Sequence, residues 1–287
     1  MEDVMLRFND QSLATSFLTK EDIKTMCPNA LKSAPTNPNV SEYYVQANTE
    51  TVIDDLARLN WFPVEAKQCR QKQGSSGIRS FHMIAFQNPD IAIVKDNGSG
   101  EVECYPRIIL TNSHDGFNSF RFRIGLFRLI CSNGLVLATD QMVDMSIRHR
   151  NYDFEELRKM VALACEQVEA QTKVMSEMNQ TQLTEEEKLT FAESAYRIRK
   201  GVAEGEKLEI PMATLKSLLS PQREEDNGNS LWKVFNVVQE NIMKGGYLAK
   251  TAKGKERKQR GVTSVTRSLG VNVALFRSAS SYIRQAV

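Results

Sequence analysis

Leu110-Thr-Asn-Ser-His-Asp-Gly116 and Phe120-Arg-Phe-Arg-Ile-Gly-Leu-Phe-Arg128 hold the densest mixture of apolar, aromatic, basic and turn-forming residues in the chain. The first segment continues the apolar run Arg107-Ile-Ile-Leu110, which predicts a buried strand. Asn, Ser, Asp and Gly then favour a turn, because their side chains bond the local backbone or tolerate positive φ. Apolar and basic residues alternate in the second segment, which predicts a strand with one apolar and one basic face.

The alternation places Phe120 and Phe122 on one face of this strand and Arg121 and Arg123 on the other. The arginines have two interpretations, which the sequence leaves open. They could offer guanidinium groups to phosphate, with Phe120 or Phe122 as stacking groups for bases. They could instead form a solvated outer face that is paired with local acids.

His114 and Asp115 lie in the turn between the two strands, and a His–Asp pair invites a catalytic interpretation. No Ser or Cys nucleophile is implied at a fixed spacing from them. We therefore interpret the pair as the polar cap of a turn and predict no catalytic residues.

The remaining patterns predict an α+β fold. Between about residues 64 and 149, short apolar runs and turn signals indicate antiparallel strands, with hairpins at 91–105 and 135–147. Helical spacing of apolar residues indicates helices at 49–60, 231–242 and 263–287. We expect a central antiparallel sheet backed by a long helix, followed by a helical C-terminal part with a basic loop.

The long helix is expected from Tyr152 onward, because residues of one stripe recur at alternating steps of three and four: Phe154, Leu157, Val161, Ala164, Val168, Gln171, Met175 and Met178. Only Gln171 interrupts its apolar character. The stripe packs the helix across the sheet, which we favour, or forms the seam of a homo-oligomer. Thr184-Glu-Glu-Glu187 is a capping box that predicts the start of the next helix.

Composition divides the chain into an N-terminal arm (1–40), a sheet-rich core (41–150), a helical part (151–243) and a basic C-terminal region (244–287). The last region has ten Lys or Arg and one acid, a net charge of +9, whereas residues 1–243 carry −7. A nearly neutral protein with a strongly basic end usually places that end against an anionic partner.

The bases are densest from Lys250 to Arg260, which has no apolar periodicity and is expected to stay flexible until it binds. A ribosome, a membrane surface and DNA would all fit such a run. The predicted nucleic-acid-binding residues are Lys250, Lys253, Lys255, Arg257, Lys258, Arg260 and Arg267. Arg121, Arg123, Phe120 and Phe122 have a secondary role in this hypothesis.

Several functional classes lack their sequence signatures. The chain has no Gly-rich phosphate loop and no His-Glu-x-x-His, its five cysteines form no Cys-x-x-Cys, and its three histidines lack ligand spacing. We therefore expect no metal and no cofactor. We also expect no signal peptide, because Met1 to Asp10 has acids and no apolar run, and no membrane span, because no apolar run is long enough. The cysteine usage favours a reducing cytoplasm.

Three segments in combination resemble one family: Asn112-Ser-His-Asp-Gly116, Arg128-Leu-Ile-Cys-Ser-Asn-Gly134 and Ser146-Ile-Arg-His149. It is the phage- and plasmid-borne family catalogued as domain of unknown function number 932. The resemblance covers about residues 40 to 285, with Leu231-Trp-Lys-Val-Phe-Asn236 as a further landmark. It implies a home on mobile elements, often near genes for DNA metabolism or for evading host restriction, and it carries no established activity.

We therefore expect a non-enzymatic nucleic-acid-binding protein of a phage, prophage or plasmid. It would act on DNA in the cytoplasm of a bacterial host, with single-strand binding or annealing during recombination or replication as its role. An alternative is an interaction protein that inhibits a host defence enzyme of the restriction type through its acidic body. A weaker alternative is an enzyme built around His114, Asp115 and His149.

Overall fold

The computed structural model describes residues 4–8, 16–40, 42, 46–69, 80–95, 101–118, 120–128, 134–136, 145–147, 153–203, 205–250 and 255–283. The fold is α+β, as predicted: an antiparallel sheet is backed by helices and followed by a helical C-terminal part. None of the helices in these ranges is long and apolar enough to cross a membrane.

The main sheet has eight strands in the described part of the chain: β1 (Val4–Phe8), β2 (Phe62–Gln68), β3 (His82–Gln87), β4 (Ile91–Lys95), β5 (Val102–Asn112), β6 (Phe120–Phe127), β7 (Gly134–Val136) and β8 (Met145–Ile147). Five of them follow the order β1-β4-β5-β3-β2, and β6 pairs with β5. All of the pairings are antiparallel. β5 therefore organises the sheet.

The seven α-helices of the described ranges are α1 (Lys20–Met26), α2 (Thr49–Arg58), α3 (Phe154–Gln180), α4 (Glu185–Lys200), α5 (Met212–Leu218), α6 (Leu231–Lys244) and α7 (Val265–Ser280). A side-chain oxygen accepts a hydrogen bond from the first turn at most of their N-termini, which satisfies an otherwise free amide. The predicted capping box of α4 is confirmed, since Thr184 and Glu187 bond reciprocally.

The pairing of β5 with β6 confirms the alternation predicted from sequence. Ile108 lies opposite Ile124 and Leu110 opposite Phe122, and all four side chains are buried on the core side of the sheet. The predicted hairpin at 135–147 is wrong, because β7 and β8 each pair with β6, at opposite ends of that strand. Residues 137–144, its predicted centre, lie outside the described ranges.

The stripe along α3 is buried inside the chain. Leu157, Val161 and Ala164 are buried and belong to one large core cluster, as do Val168, Met175 and Met178. The helix packs on α6, β1 and β6. The stripe therefore forms the interior packing of the helix against the sheet, as favoured, and the oligomer-seam interpretation is wrong because these side chains are already covered.

The same core cluster extends from Ile23 in α1 to Ala279 in α7. It therefore includes residues from all four segments distinguished by composition. The predicted N-terminal arm also contributes β1, which pairs with β4 at the edge of the sheet. Part of that arm therefore packs on the body of its own chain.

A group of ion pairs joins the sheet to the helical part, and we call it the paired network: Glu103, Arg128, Arg223, Asp226, Glu240 and Lys244. Arg128 is buried, and its Nε donates to Glu103 Oε1 at 2.8 Å while its Nη1 bonds Asp226. Burial alone would lower the pKa of Arg128, but Glu103 and Asp226 outweigh burial and raise it above its ordinary value. These arginines therefore serve to join structural elements.

Candidate nucleic-acid interface

The stretch from Lys250 to Arg260 belongs mostly to a β-hairpin, so the expectation of a flexible loop is wrong for its described residues. β9 (Gly245–Lys250) pairs antiparallel with β10 (Glu256–Arg260). β9 is held to the body, because Tyr247 and Ala249 are buried and the Leu248 N–H donates to Ser217 Oγ at 3.0 Å. The apolar partner strand supplies the anchoring that the basic strand lacks. Lys253 and the side chain of Lys250 lie outside the described part.

Gly245 lets the chain pass directly from α6 into the hairpin. Its φ is +80°, a left-handed conformation that favours glycine. A Cβ at this position would lie 2.5 Å from the backbone nitrogen of Gly261. Any side chain at Gly245 would therefore push apart the base of the hairpin, which fixes where β10 lies relative to α6.

The hairpin presents its bases to solvent. Lys255, Arg257, Lys258 and Arg260 are exposed, as is Arg267 in the first turn of α7. Two cations that the sequence analysis missed join them: Arg199 and Lys200, at the end of α4. The signal that could have identified them is the basic last turn of that helix, which suits a helix C-terminus and was assigned no role.

Hydrogen bonds from arginines connect three elements at this surface. Arg199 Nη2 donates to the carbonyl oxygen of Arg260 at 3.0 Å, and Arg267 Nη2 donates to the carbonyl oxygen of Arg199 at 2.7 Å. The ends of α4, β10 and α7 therefore meet. We call the exposed or half-exposed cations gathered here the basic face: Arg199, Lys200, Arg257, Lys258, Arg260 and Arg267.

The charges of the basic face are not neutralised by acids in the described part of the chain. No described carboxylate lies within 4.0 Å of its cationic groups, and Arg199 and Arg267 instead donate to backbone carbonyls. Tyr247 beside them does not supply a negative charge, since burial raises its pKa to about 12 although Arg199 and Arg267 act to lower it. The surface therefore keeps a concentrated positive charge that an anionic ligand would neutralise.

Arg121 and Arg123 are half-buried on the face of the sheet opposite the main core. Arg123 Nη1 donates to Thr111 Oγ1 at 3.3 Å. The first turns of α7 pack on this same face, where Val265 and Leu269 join Ile109 in a second, smaller apolar cluster. The structure thus places these two arginines on the face that also holds the first turn of α7.

Phe120 and Phe122 are not available to stack on bases, which corrects the sequence-based hypothesis. Both rings are buried in the main core, where their centroids lie 4.9 Å apart in an edge-on arrangement. The alternation was predicted correctly, but the apolar face of β6 is covered by the main core, to which α3 contributes. A strand pattern shows which side chains share a face and not what covers that face.

His114 joins a second histidine in a buried polar group that we call the histidine cluster: Thr49, His82, Asn112 and His114. Thr49 Oγ1 lies 3.0 Å from His82 Nε2 and 3.1 Å from His114 Nε2, and it accepts from Asn112 Nδ2 at 3.0 Å. The two imidazole rings are edge-on, with centroids 5.2 Å apart. β3, the end of β5 and α2 meet at this cluster.

One proton arrangement satisfies the cluster with both imidazoles neutral. His82 Nδ1 donates to the Ser80 carbonyl oxygen at 2.7 Å, so its Nε2 accepts the Thr49 hydroxyl proton. His114 Nε2 then donates to Thr49, and its Nδ1 accepts from Gln46 Nε2 at 3.3 Å. We assign these tautomers from the hydrogen-bond network. Burial lowers the pKa of His82 to about 4, against smaller opposing effects of Ser80 and Asp115.

Asp115 fixes the turn that follows β5. One carboxylate oxygen accepts from Ser113 Oγ at 2.6 Å and from the Phe117 N–H at 3.0 Å, and the other accepts from the Ser80 N–H at 3.1 Å. Asp115 and both histidines are buried, and the described residues contain no group of His, Cys, Asp and Glu side chains that could hold a metal. These contacts favour the predicted polar cap of a turn. His149 of the weaker hypothesis lies outside the described ranges.

A groove of about 990 Å³ opens beside this turn, and the sequence analysis gave no sign of it. Its walls include Met26, Cys69, Phe81, Phe117, Asn118 and the segment 263–266. Phe117 is 71% exposed, the most exposed large apolar residue in the described part of the chain. A phenylalanine in a Gly-Phe-Asn turn was the local signal for an exposed ring.

Comparison with known proteins assigns this α+β chain to a family. The chain belongs to the family described as Domain of unknown function (DUF932), whose model matches residues 39–270. This confirms the resemblance predicted from the motifs around Asn112–Gly116. The chain is also 27% identical over 271 residues to UPF0380 protein YafZ and to UPF0380 protein YfjQ, both of Escherichia coli (strain K12). Each alignment covers 93% of this chain and 92% of the relative, and no solved structure matches.

Proposed function

We propose that the protein binds nucleic acid through the basic face. The observation that supports the proposal is the concentration of cations where α4, β10 and α7 meet, with no carboxylate of the described residues within 4.0 Å to neutralise them. Phosphate groups release counterions when Lys and Arg neutralise them, which makes a surface of this kind a favourable partner for a nucleic-acid backbone. Lys255 on the same hairpin and Arg121 and Arg123 on the sheet are further contacts in this proposal.

The form of the surface also supports the proposal. The hairpin carries Arg257 opposite the buried Ala249 and Lys258 opposite the exposed Leu248, so bases occur on both faces of a two-stranded ribbon. Arg199 and Arg267 lie at the base of the ribbon, where their guanidinium groups are oriented by hydrogen bonds to carbonyls. Oriented guanidinium groups suit phosphate better than freely moving side chains, because less conformational entropy is lost on binding.

In this proposal the protein is a binding protein without a catalytic step of its own. It would act in the cytoplasm of a bacterial host on the DNA of a phage, prophage or plasmid, during recombination or replication. The mobile-element setting is what the family resemblance implies, and the charge distribution supports the DNA role. The proposal includes a homo-oligomer only because assembly would place several basic faces next to one another.

Fluorescence anisotropy with labelled oligonucleotides across a salt series tests the proposal. The variant to compare is R257Q/K258Q/R260Q, which removes three exposed charges from the ribbon. A control with the same loss of charge is R158Q/K159Q/K173Q, because these cations are exposed on α3, away from the basic face and the groove beside Phe117.

We expect the ribbon variant to reduce the slope of log affinity against log salt by about 2 to 3, at roughly 0.7 to 0.9 for each lost phosphate contact. The control should leave the slope nearly unchanged. If the intact protein shows no binding at about 50 mM salt, the proposal is wrong. Equal slopes for both variants would also contradict it, since net charge and not this surface would then govern binding.

The alternative, an inhibitor of a host defence enzyme, would use the acidic remainder of the chain. Residues 1–243 carry a net charge of −7. This alternative makes a different prediction for the same experiment, namely little affinity for free DNA. Stoichiometric binding to a restriction-type enzyme that persists in R257Q/K258Q/R260Q would favour it.

A further inference from the structure

The groove beside Phe117 lies next to the basic face. Its wall includes Thr263, three residues after Arg260, and Thr266, which directly precedes Arg267. Since consecutive Cα atoms are 3.8 Å apart, at most about 11 Å separates the Cα atoms of Thr263 and Arg260. A ligand that neutralises the basic face can therefore extend into the groove.

Phe117 is held in its exposed position by buried contacts. Its N–H donates to Asp115 Oδ1, and that carboxylate also accepts from Ser113 and Ser80. Gly116 before it has φ of +79°, and a Cβ there would lie 3.0 Å from Val40 Cγ1. The motif from Asn112 to Gly116 thus forms a fixed turn that directs the ring of Phe117 outward. This gives the motif a role in binding, which the buried His114 does not supply.

The exposed ring of Phe117 is a candidate contact for a binding partner. Exposing a large aromatic side chain forgoes the burial that stabilises most phenylalanines, and this turn does so at the edge of a groove lined in part by Met26, Cys69 and Phe81. The volume of about 990 Å³ lies at the upper end of the range for small-molecule pockets, which gives room for more than one planar ring. The groove therefore offers aromatic and apolar contacts next to the positive charge of the basic face.

We propose that this groove receives the unpaired bases of a single-stranded nucleic acid whose phosphates lie on the basic face, with a base stacked on Phe117. The inference rests on the proposed function and extends it to strand preference. Aromatic stacking beside a basic track is the usual means of binding single strands without sequence preference, because every base has a flat face. Duplex bases are already stacked on one another and cannot reach the ring.

The test uses anisotropy with three DNA probes of equal length: a single strand, a strand whose sites are abasic, and a duplex. The variants are F117A and F117W, with L163A as the control, since Leu163 is an exposed apolar residue on α3 outside the groove. An RNA strand is included as a fourth probe, and R257Q/K258Q/R260Q reports on the basic face alone.

We expect F117A to bind the base-bearing single strand at least about fivefold more weakly than the intact protein. The same variant should bind the abasic strand with unchanged affinity, and F117W should retain binding. The salt slope should not change, because no phosphate contact is lost. RNA should show the same dependence on Phe117, since stacking involves the base and not the sugar. L163A should behave as the intact protein.

Failure of this inference is distinguishable from failure of the proposed function. If F117A binds the base-bearing strand normally while R257Q/K258Q/R260Q loses binding, the groove is not the base site but the basic face stands. If F117A weakens base-bearing and abasic strands equally, or if the intact protein prefers duplex, the groove inference is also overturned. If the intact protein binds none of the probes, the proposed function fails and this inference fails with it.

Discussion

The paired network and the basic face are both rich in arginine, yet they differ in what their guanidinium groups contact. In the paired network, Arg128 and Arg223 bond the carboxylates of Glu103, Asp226 and Glu240. In the basic face, Arg199 and Arg267 donate to backbone carbonyls, and no described carboxylate is within 4.0 Å. The first set is neutralised inside the protein, whereas the described residues provide no acid that neutralises the second.

The difference shows that the number of arginines does not identify a binding surface. Buried charges must be paired, because an unpaired ion in a low-dielectric interior costs several kcal/mol. Exposed cations carry no such requirement and can remain available to a ligand. The two regions should therefore respond oppositely to substitution: the paired network governs stability, and the basic face governs binding.

Replacing Arg128 with Met should have the largest effect on stability. The substitution leaves Glu103 buried without a cation and Asp226 with only Arg223, 3.7 Å away. Removing one partner of a buried ion pair costs about 3–5 kcal/mol. Urea unfolding measures the loss. The folded fraction of R128M should still bind oligonucleotides with the salt slope of the intact protein. A loss below about 1 kcal/mol would contradict the structural role assigned to this network.

Acid should lower the free energy of unfolding because His82, which is buried and neutral, becomes protonated. Unlike the arginines of the paired network, His82 has no carboxylate of the described residues bonded to its ring. The folded pKa of about 4 is below the unfolded value of about 6.5, so the unfolded state binds more protons between these values. The contribution of neutral His82 to the free energy of unfolding is therefore fully present above about pH 6.5. About 3 kcal/mol of it is lost as the pH falls to 4.

Urea unfolding at several pH values compares the intact protein with H82Q. The variant should be less stable at neutral pH, but its stability should depend less steeply on pH between 6.5 and 4. Parallel pH profiles for the two proteins would show that carboxylates, and not His82, account for the acid sensitivity.

Replacing Glu240 with Gln should have an intermediate effect, because its partners are partly exposed. Glu240 accepts from Arg223 and from Lys244 Nζ at 2.9 Å, and these cations lower its pKa although burial acts to raise it. Loss of a charge-assisted acceptor at this position should cost about 1–2 kcal/mol. Thermal and urea unfolding of E240Q check the value, and a cost as large as that of R128M would remove the expected distinction between buried and half-exposed cations.

The sequence predicted the local features of the fold well. The parity of β5 and β6, the spacing of α3 and the cap at Thr184 all depend on residues a few positions apart, and the structure confirms them. Features that depend on distant residues were missed. His82 and His114 lie 32 positions apart, and β10 is ordered by pairing with a strand anchored through Tyr247 and Ala249. The basic stretch has no apolar periodicity from which its pairing with β9 could have been predicted.

The candidate site was predicted in part for the same reason. The basic residues from Lys255 to Arg267 were found from charge alone, whereas Arg199 and Lys200 join them only through the folded contacts of α4. The predicted stacking residues Phe120 and Phe122 are buried, whereas the exposed ring of Phe117 was assigned no role from the sequence. Alternation identified the apolar face, but only the packed structure shows that this face is the core.

The ribbon variant R257Q/K258Q/R260Q should have the smallest effect on stability, within about 0.5 kcal/mol of the intact protein, because its side chains are exposed and make no described ion pairs. Urea unfolding checks this on the samples used for anisotropy. Destabilisation by more than about 1 kcal/mol would mean that the ribbon cations support the fold, which would blur the contrast between the two arginine regions.

The most direct test of the basic face is lysine-modification footprinting, read by mass spectrometry, with and without a saturating single-stranded oligonucleotide. Our account predicts that the oligonucleotide protects Lys200 and Lys258, which lie on the basic face, and leaves Lys159 and Lys173, which are exposed on α3, as reactive as before. Uniform protection of all four lysines, or protection of Lys159 and Lys173 alone, would contradict the claim that nucleic acid binds where α4, β10 and α7 meet.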